Sequence, residues 1–164
     1  MALANAALKT DIQDILDGTI PLPTVAAAGV AWGDAIHAYA GTGGVINPGP
    51  AELPITGLAT GLPALKTALA AAFSSGTPAG VASGMSAAID AYWAPGVVAL
   101  ATPGMGSTGG AALTATLTAI FAVVGGTHSS KAAEIQAAIT VHTGLVVAVF
   151  PAPGPPVPGP FPVV

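Results

Sequence analysis

The chain has 164 residues, enough for one domain with its own core, yet only 6% are charged, against about 25% in ordinary soluble proteins. Three Lys, no Arg and seven acidic residues give a net charge of -4. The lysines Lys9, Lys66 and Lys131 stand far apart, which excludes the basic patch nucleic-acid binding needs, and the lack of Cys excludes disulfides, thiolate chemistry and zinc fingers.

The first segment, 2–17, reads as an amphipathic helix: Leu8, Ile12, Ile15 and Leu16 recur at helical spacing and Gly18 ends it. Asp11, Asp14 and Asp17 lie on that helix at i, i+3 and i+6. Such a run spreads its carboxylates along about 9 Å of a straight helix, whereas calcium needs a loop that folds around it. The stripe therefore reads as solvated, or as a docking stripe for a basic neighbour. After a turn with two prolines, Thr24 is a plausible N-cap for a second helix, 25–40, carrying Val30, Trp32, Ile36 and Tyr39.

A second helical pair occupies 62–92 around a Ser-Gly-Thr-Pro turn, and it repeats features of the first. Ala7-Leu8-Lys9-Thr10 returns as Ala64-Leu65-Lys66-Thr67, Gly18-Thr19 as Gly76-Thr77, and Ala35-Ile36-His37-Ala38-Tyr39 as Ala88-Ile89-Asp90-Ala91-Tyr92. A third copy is more worn. Leu113, Leu117 and Phe121 reproduce the spacing of Leu65, Leu69 and Phe73, the turn returns as Gly126-Thr127 with Ser129 or Ser130 as cap, and Ala138-Ile139 matches Ala88-Ile89. A Gly and a short β-branched run follow each second helix, as in Gly44-Val45-Ile46, Gly96-Val97-Val98 and Gly144-Leu145-Val146-Val147.

The expected fold is thus mainly α: three degenerate αα-hairpin repeats, at about 2–40, 58–93 and 108–143, with short extended segments between them. Stacking of the hairpins, as in a solenoid, merges their apolar faces into one domain spanning 1–150. The connectors 47–60 and 99–109 are rich in Gly and Pro. The tail 151–164 has seven prolines and reads as a polyproline arm that docks on neighbours through Pro151, Pro155, Pro156, Pro158 and Phe161.

No constellation of residues signals catalysis, a cofactor or a metal. His37, His128 and His142 lack the spacing that places two imidazoles on one ion. His37 and His142 could approach if the copies stack symmetrically, but no carboxylate partner stands out. The glycine clusters Gly41-Thr42-Gly43-Gly44 and GMGSTGG at 104–110 lack the Lys of a phosphate loop and read as flexible connectors. Among the aromatic residues, Trp93 at a helix end is the one expected at an interface.

The N-terminus has no basic region before its apolar residues and meets Asp11 early, so no signal peptide is expected. Mean hydropathy is +0.77, but Ala and Gly raise it, and the charge-free runs 91–130 and 135–164 are broken by Gly, Pro, Ser and Thr. Membrane spans are not expected, although a membrane-associated or pore-like envelope protein stays an alternative. A small-ligand carrier or enzyme is a further one, which requires a pocket gathering His37, His142 and a carboxylate.

With helices such as Leu65-Lys66-Thr67-Ala68-Leu69 leading to Phe73, Ala88-Ile89-Asp90-Ala91-Tyr92, and a proline-rich end, the chain resembles small structural proteins of contractile-tailed bacteriophages, from the tail and baseplate region. The resemblance is one of style over the whole chain. It implies a virion component, made in the host cytoplasm and held by other structural proteins or by copies of itself, without cofactor, catalysis or nucleic acid. The low charge points the same way, since little keeps the faces of this chain from meeting other protein.

Overall fold

The computed structural model describes residues 3–41, 45–46, 53–99, 104–148 and 161–162. They form six α-helices: α1 (Asn5–Asp17), α2 (Val25–Gly41), α3 (Leu62–Phe73), α4 (Pro78–Trp93), α5 (Gly110–Ala122) and α6 (His128–Thr143). Six short strands accompany them: β1 (Val45–Ile46), β2 (Leu53–Thr56), β3 (Val97–Val98), β4 (Met105–Ser107), β5 (Val146–Ala148) and β6 (Phe161–Pro162).

Helix starts are written in threonine. Thr24 Oγ1 accepts from Ala27 N–H, Thr77 Oγ1 from Gly80 N–H and Thr127 Oγ1 from Ser130 N–H, each at 3.1 Å. Every second helix of a pair thus has one of its orphan N-terminal donors satisfied. The cap of α6 is Thr127 and not Ser129 or Ser130, which already lie inside the helix. The Gly-Thr pairs are also not equivalent in role: Thr77 and Thr127 cap, whereas in the longer first turn, 18–24, the capping residue is Thr24 and not Thr19. Gly18 ends α1 in the left-handed region (φ 73°), where its lack of a side chain removes the steric cost, and its N–H bonds back to Ile15 O. Leu3 and Ala4 precede α1, so that helix starts later than the apolar spacing suggested.

Burial follows one pattern in all three pairs. The first helices bury Leu8, Ile12 and Ile15, then Leu65, Leu69 and Ala72, then Leu113, Leu117 and Ile120, always at i, i+4 and i+7. The second helices bury Trp32, Ile36 and Tyr39, then Met85, Ile89 and Tyr92, then Ile135, Ile139 and His142. All of these except His142, a buried polar residue, belong to a single hydrophobic core.

The helices do not stack as an open row. Each packs on the next in chain order and α6 returns to α1, so the six form a closed ring. The most extensive packing is that of α2 on α3, followed by that of α4 on both its neighbours, α3 and α5. Gly29 and Gly33 let α2 approach α3: a Cβ on Gly29 would lie 2.5 Å from the carbonyl oxygen of Lys66 and 2.8 Å from Ala70 Cβ. Small residues at the crossing bring the two backbones together and increase dispersion contact.

Two antiparallel three-stranded sheets close the ends of the hairpins. In order β1-β2-β3, Ile55 pairs with Val98 and brackets α3–α4; in order β4-β5-β6, Met105 pairs with Ala148 and brackets α5–α6. Met105–Ser107 is therefore a strand, although its Gly-rich sequence reads as connector; ladder bonds to β5 supply what local propensity does not. Phe161–Pro162, expected on a neighbour, pairs instead with Val147 and Ala148 of the same chain. Pro151, Pro155, Pro156 and Pro158 lie outside the described residues, as do 42–44 of the first glycine cluster.

Candidate functional site

Besides Ser86 and Thr143, which are also buried, a set of polar side chains comes from two positions of each second helix. One holds His37 on α2, Asp90 on α4 and Thr140 on α6; the other, two residues later, holds Tyr39, Tyr92 and His142. Each later residue reaches the earlier position of the preceding pair. Tyr92 Oη lies 2.6 Å from His37 Nδ1, His142 Nε2 lies 2.6 Å from Asp90 Oδ1, and Tyr39 Oη donates to Thr140 Oγ1 at 3.4 Å. The third tie closes the circle.

Tyr92 is 1% exposed, and burial pushes its hydroxyl well above the usual tyrosine range, so it stays a neutral hydrogen-bonding group. Its ring meets His37 and Trp93 edge to face, at centroid distances of 5.9 and 5.6 Å. Thr140 Oγ1 lies 2.9 Å from Asn5 Oδ1, and Asp17 Oδ1 lies 2.7 Å from His128 Nδ1. Together with Tyr39, these contacts make the seam between α1 and α6 polar.

The His142 contact gathers the residue types of a hydrolytic relay. Ser107 Oγ, held by Gly109 N–H at 2.9 Å, lies 3.1 Å from His142 Nε2, the same nitrogen that meets Asp90. A working relay places the carboxylate on one ring nitrogen and the hydroxyl on the other, so that the second can take the serine proton. Here the short contact to Asp90 takes the Nε2 proton, and Nε2 then has no lone pair for Ser107. Nδ1 is buried and has no partner among the described residues. As arranged, the knot ties β4 and α6 to α4, and it offers Ser107 no general base.

Asp90 is the carboxylate partner that the sequence reading did not find. Its signal was its place in Ala88-Ile89-Asp90-Ala91-Tyr92, where it stands for His37. His37 and His142 are engaged by different partners and not by one another. Among the described residues no group of three or more His, Cys, Asp or Glu could hold a metal ion, and no helix is long and apolar enough to cross a membrane.

Trp93 is 1% exposed, which corrects its assignment to an interface. At the last turn of α4 it occupies the buried position held by Ala40 on α2 and Thr143 on α6, and its size is accommodated inside the ring. Its Nε1–H is buried without a partner among the described residues. The acidic run divides: Asp17 is tied to His128 and accepts from Gln13, whereas Asp11 and Asp14 are half-buried with no ion pair among the described residues. Burial, then the charge of Asp14, raises the Asp11 carboxyl above its ordinary range.

Between the two helices of each pair runs a groove. The one between α1 and α2 has a volume of about 640 Å³, that between α5 and α6 about 400 Å³, and that between α3 and α4 about 280 Å³. Corresponding residues line them, with Asp11, Ala68 and Thr116 at one place and Ala35, Ala88 and Ala138 at another. The first has the largest volume of the three, and the longer turn 18–24 contributes Ile20, Pro21 and Leu22 to its lining. No family model, curated protein or solved structure gives a significant match to this chain.

Proposed function

We propose that this chain is a structural subunit of a large protein assembly, of the kind built into phage tails and baseplates, and that it works through protein contacts rather than catalysis. Three degenerate copies of an αα-hairpin unit, closed into a ring, are the architecture behind this reading. The observation that carries it is the cyclic set of side-chain ties at matching positions: His37 with Tyr92, Asp90 with His142, Thr140 with Tyr39. Residue types that could serve chemistry are used as ties, and the Asp-His pair is one member of a set whose other two members contain no carboxylate.

The surface supports the same reading. Val25, Val30, Val124 and Val141 are exposed on a chain with few charges to keep such faces apart. Analytical ultracentrifugation of the purified chain over a wide concentration range tests it, alongside a panel of activated ester substrates. The expected result is self-association that grows with concentration and no turnover. A strictly monomeric chain with hydrolytic turnover abolished by Ser107→Ala would overturn it.

A further inference from the structure

We propose that the groove between α1 and α2 is a seat for a basic amphipathic helix of a partner protein. The inference rests on the structural reading above and names the chemistry of one partner. The wall from α2 presents Ala27, Ala31 and Ala38 with Val30 beside them, and Ala27 to Ala38 spans about 16 Å of helix, three turns. Elsewhere in the ring a lane of small residues on α2, Gly29 and Gly33, receives a helix, α3; the alanine lane faces an open groove with no helix of the described chain in it.

Charge selects the occupant. Asp11 lines the groove and Asp14 stands one turn along, neither with an ion pair among the described residues; Asp34 lines the opposite wall and is bound to Lys66 at 2.7 Å. An uncompensated carboxylate in the lining of an apolar channel, with a second one turn along the same helix, favours a helix with an aliphatic stripe flanked by Lys or Arg. The raised Asp11 pKa agrees with a carboxylate that lacks a cation. The places corresponding to Asp11 in the other two grooves are Ala68 and Thr116; the α3–α4 groove has no acidic lining residue, whereas the α5–α6 groove has one, Glu134, on its α6 wall.

The test uses the full chain and two fluorescent model helices of Leu and Lys, or Leu and Glu, with the same apolar stripe. Saturable one-to-one binding of the Leu-Lys helix, with exchange protection on α1 and α2, is expected. Val30→Asp, at a position 46% exposed and so outside the core, should weaken it about tenfold, and Asp11→Asn about threefold. Val141→Asp in the α5–α6 groove should leave it unchanged. Equal binding of both helices, no binding, or indifference to Val30→Asp would overturn the proposal. So would loss of self-association in Val30→Asp without added peptide, because a second copy would then own the groove. Failure of peptide binding with self-association intact removes this proposal and leaves the structural reading standing.

Discussion

The Tyr92 hydroxyl lies 2.6 Å from His37 Nδ1, and the two residues come from matching stretches of neighbouring hairpins. The same step along the ring joins His142 to Asp90, and a final step joins Tyr39 to Thr140. Three chemically different pairs do one job, which is to fix the rotation of each second helix against the preceding one.

Tyr92→Phe keeps the buried ring and removes only the tie. His37 is half-buried and recovers part of its bonding from water, so the variant should lose about 1 kcal/mol in denaturant unfolding. The alkaline limb carries a second expectation. Burial raises the Tyr92 hydroxyl in the folded state, so its contribution is present below the ordinary tyrosine range and is lost as pH rises through and above it. Absorbance titration should show the Tyr92 phenolate appearing together with unfolding; a phenolate formed in the folded chain would contradict the assigned burial.

Asp90→Ala should cost about 1–3 kcal/mol, because His142 is 1% exposed and keeps only Ser107 at Nε2. The loss should shrink in a His142→Leu background, and a double-mutant cycle measures the difference. If the two changes simply add, the contact is geometric and contributes no stability.

Ile12, Leu69 and Leu117 occupy one matching position on α1, α3 and α5, and each is 0% exposed. Truncation to Ala at each site should cost about 2–5 kcal/mol. Similar costs would identify one core shared by all three pairs. A cost near zero at Ile12 alone would mean that α1 is a loosely held member of the ring.

Gly29→Ala is a sharper probe of the α2–α3 crossing. In an isolated helix the change would be favourable by about 1 kcal/mol. Here the added Cβ meets the Lys66 backbone at 2.5 Å, and backbone cannot swing aside as a side-chain end can. A net loss of about 1–3 kcal/mol is expected, read from the denaturation midpoint. Any gain would show that the two helices can separate freely.

The helices were legible because their signals are local: the Leu8, Leu65 and Leu113 stripes, the turn glycines, and Thr24 ahead of α2. The ring was not, since nothing in α1 or α6 alone announces that Asn5 and Thr140 or Asp17 and His128 will meet. The interior ties were not read from the sequence. His37 and Asp90 align, but each partner sits on the next hairpin, and only the closed arrangement supplies that offset. Trp93 misled because a large aromatic residue at a helix end has no local sign of the strands that follow it and cover the core. Met105–Ser107 is a strand through its pairing with β5, a long-range cause that a Gly-rich string hides.

Asp11 gives the pH dependence of stability a defined sign. Burial and the Asp14 charge disfavour its ionised form in the folded state, so its folded pKa is raised. The folded chain then binds the proton more tightly than the unfolded chain, and stability falls as pH rises through the carboxylate range, levelling off above the folded value. At neutral pH the charge is a net liability. Asp11→Asn should accordingly raise the unfolding midpoint near pH 7, and the gain should fade as the solution is acidified below the ordinary aspartate range. Denaturation curves of both chains across that range measure it. A variant that is less stable at neutral pH would mean that Asp11 has a stabilising cationic partner within the chain, and the acidic rim of the α1–α2 groove would then be already neutralised.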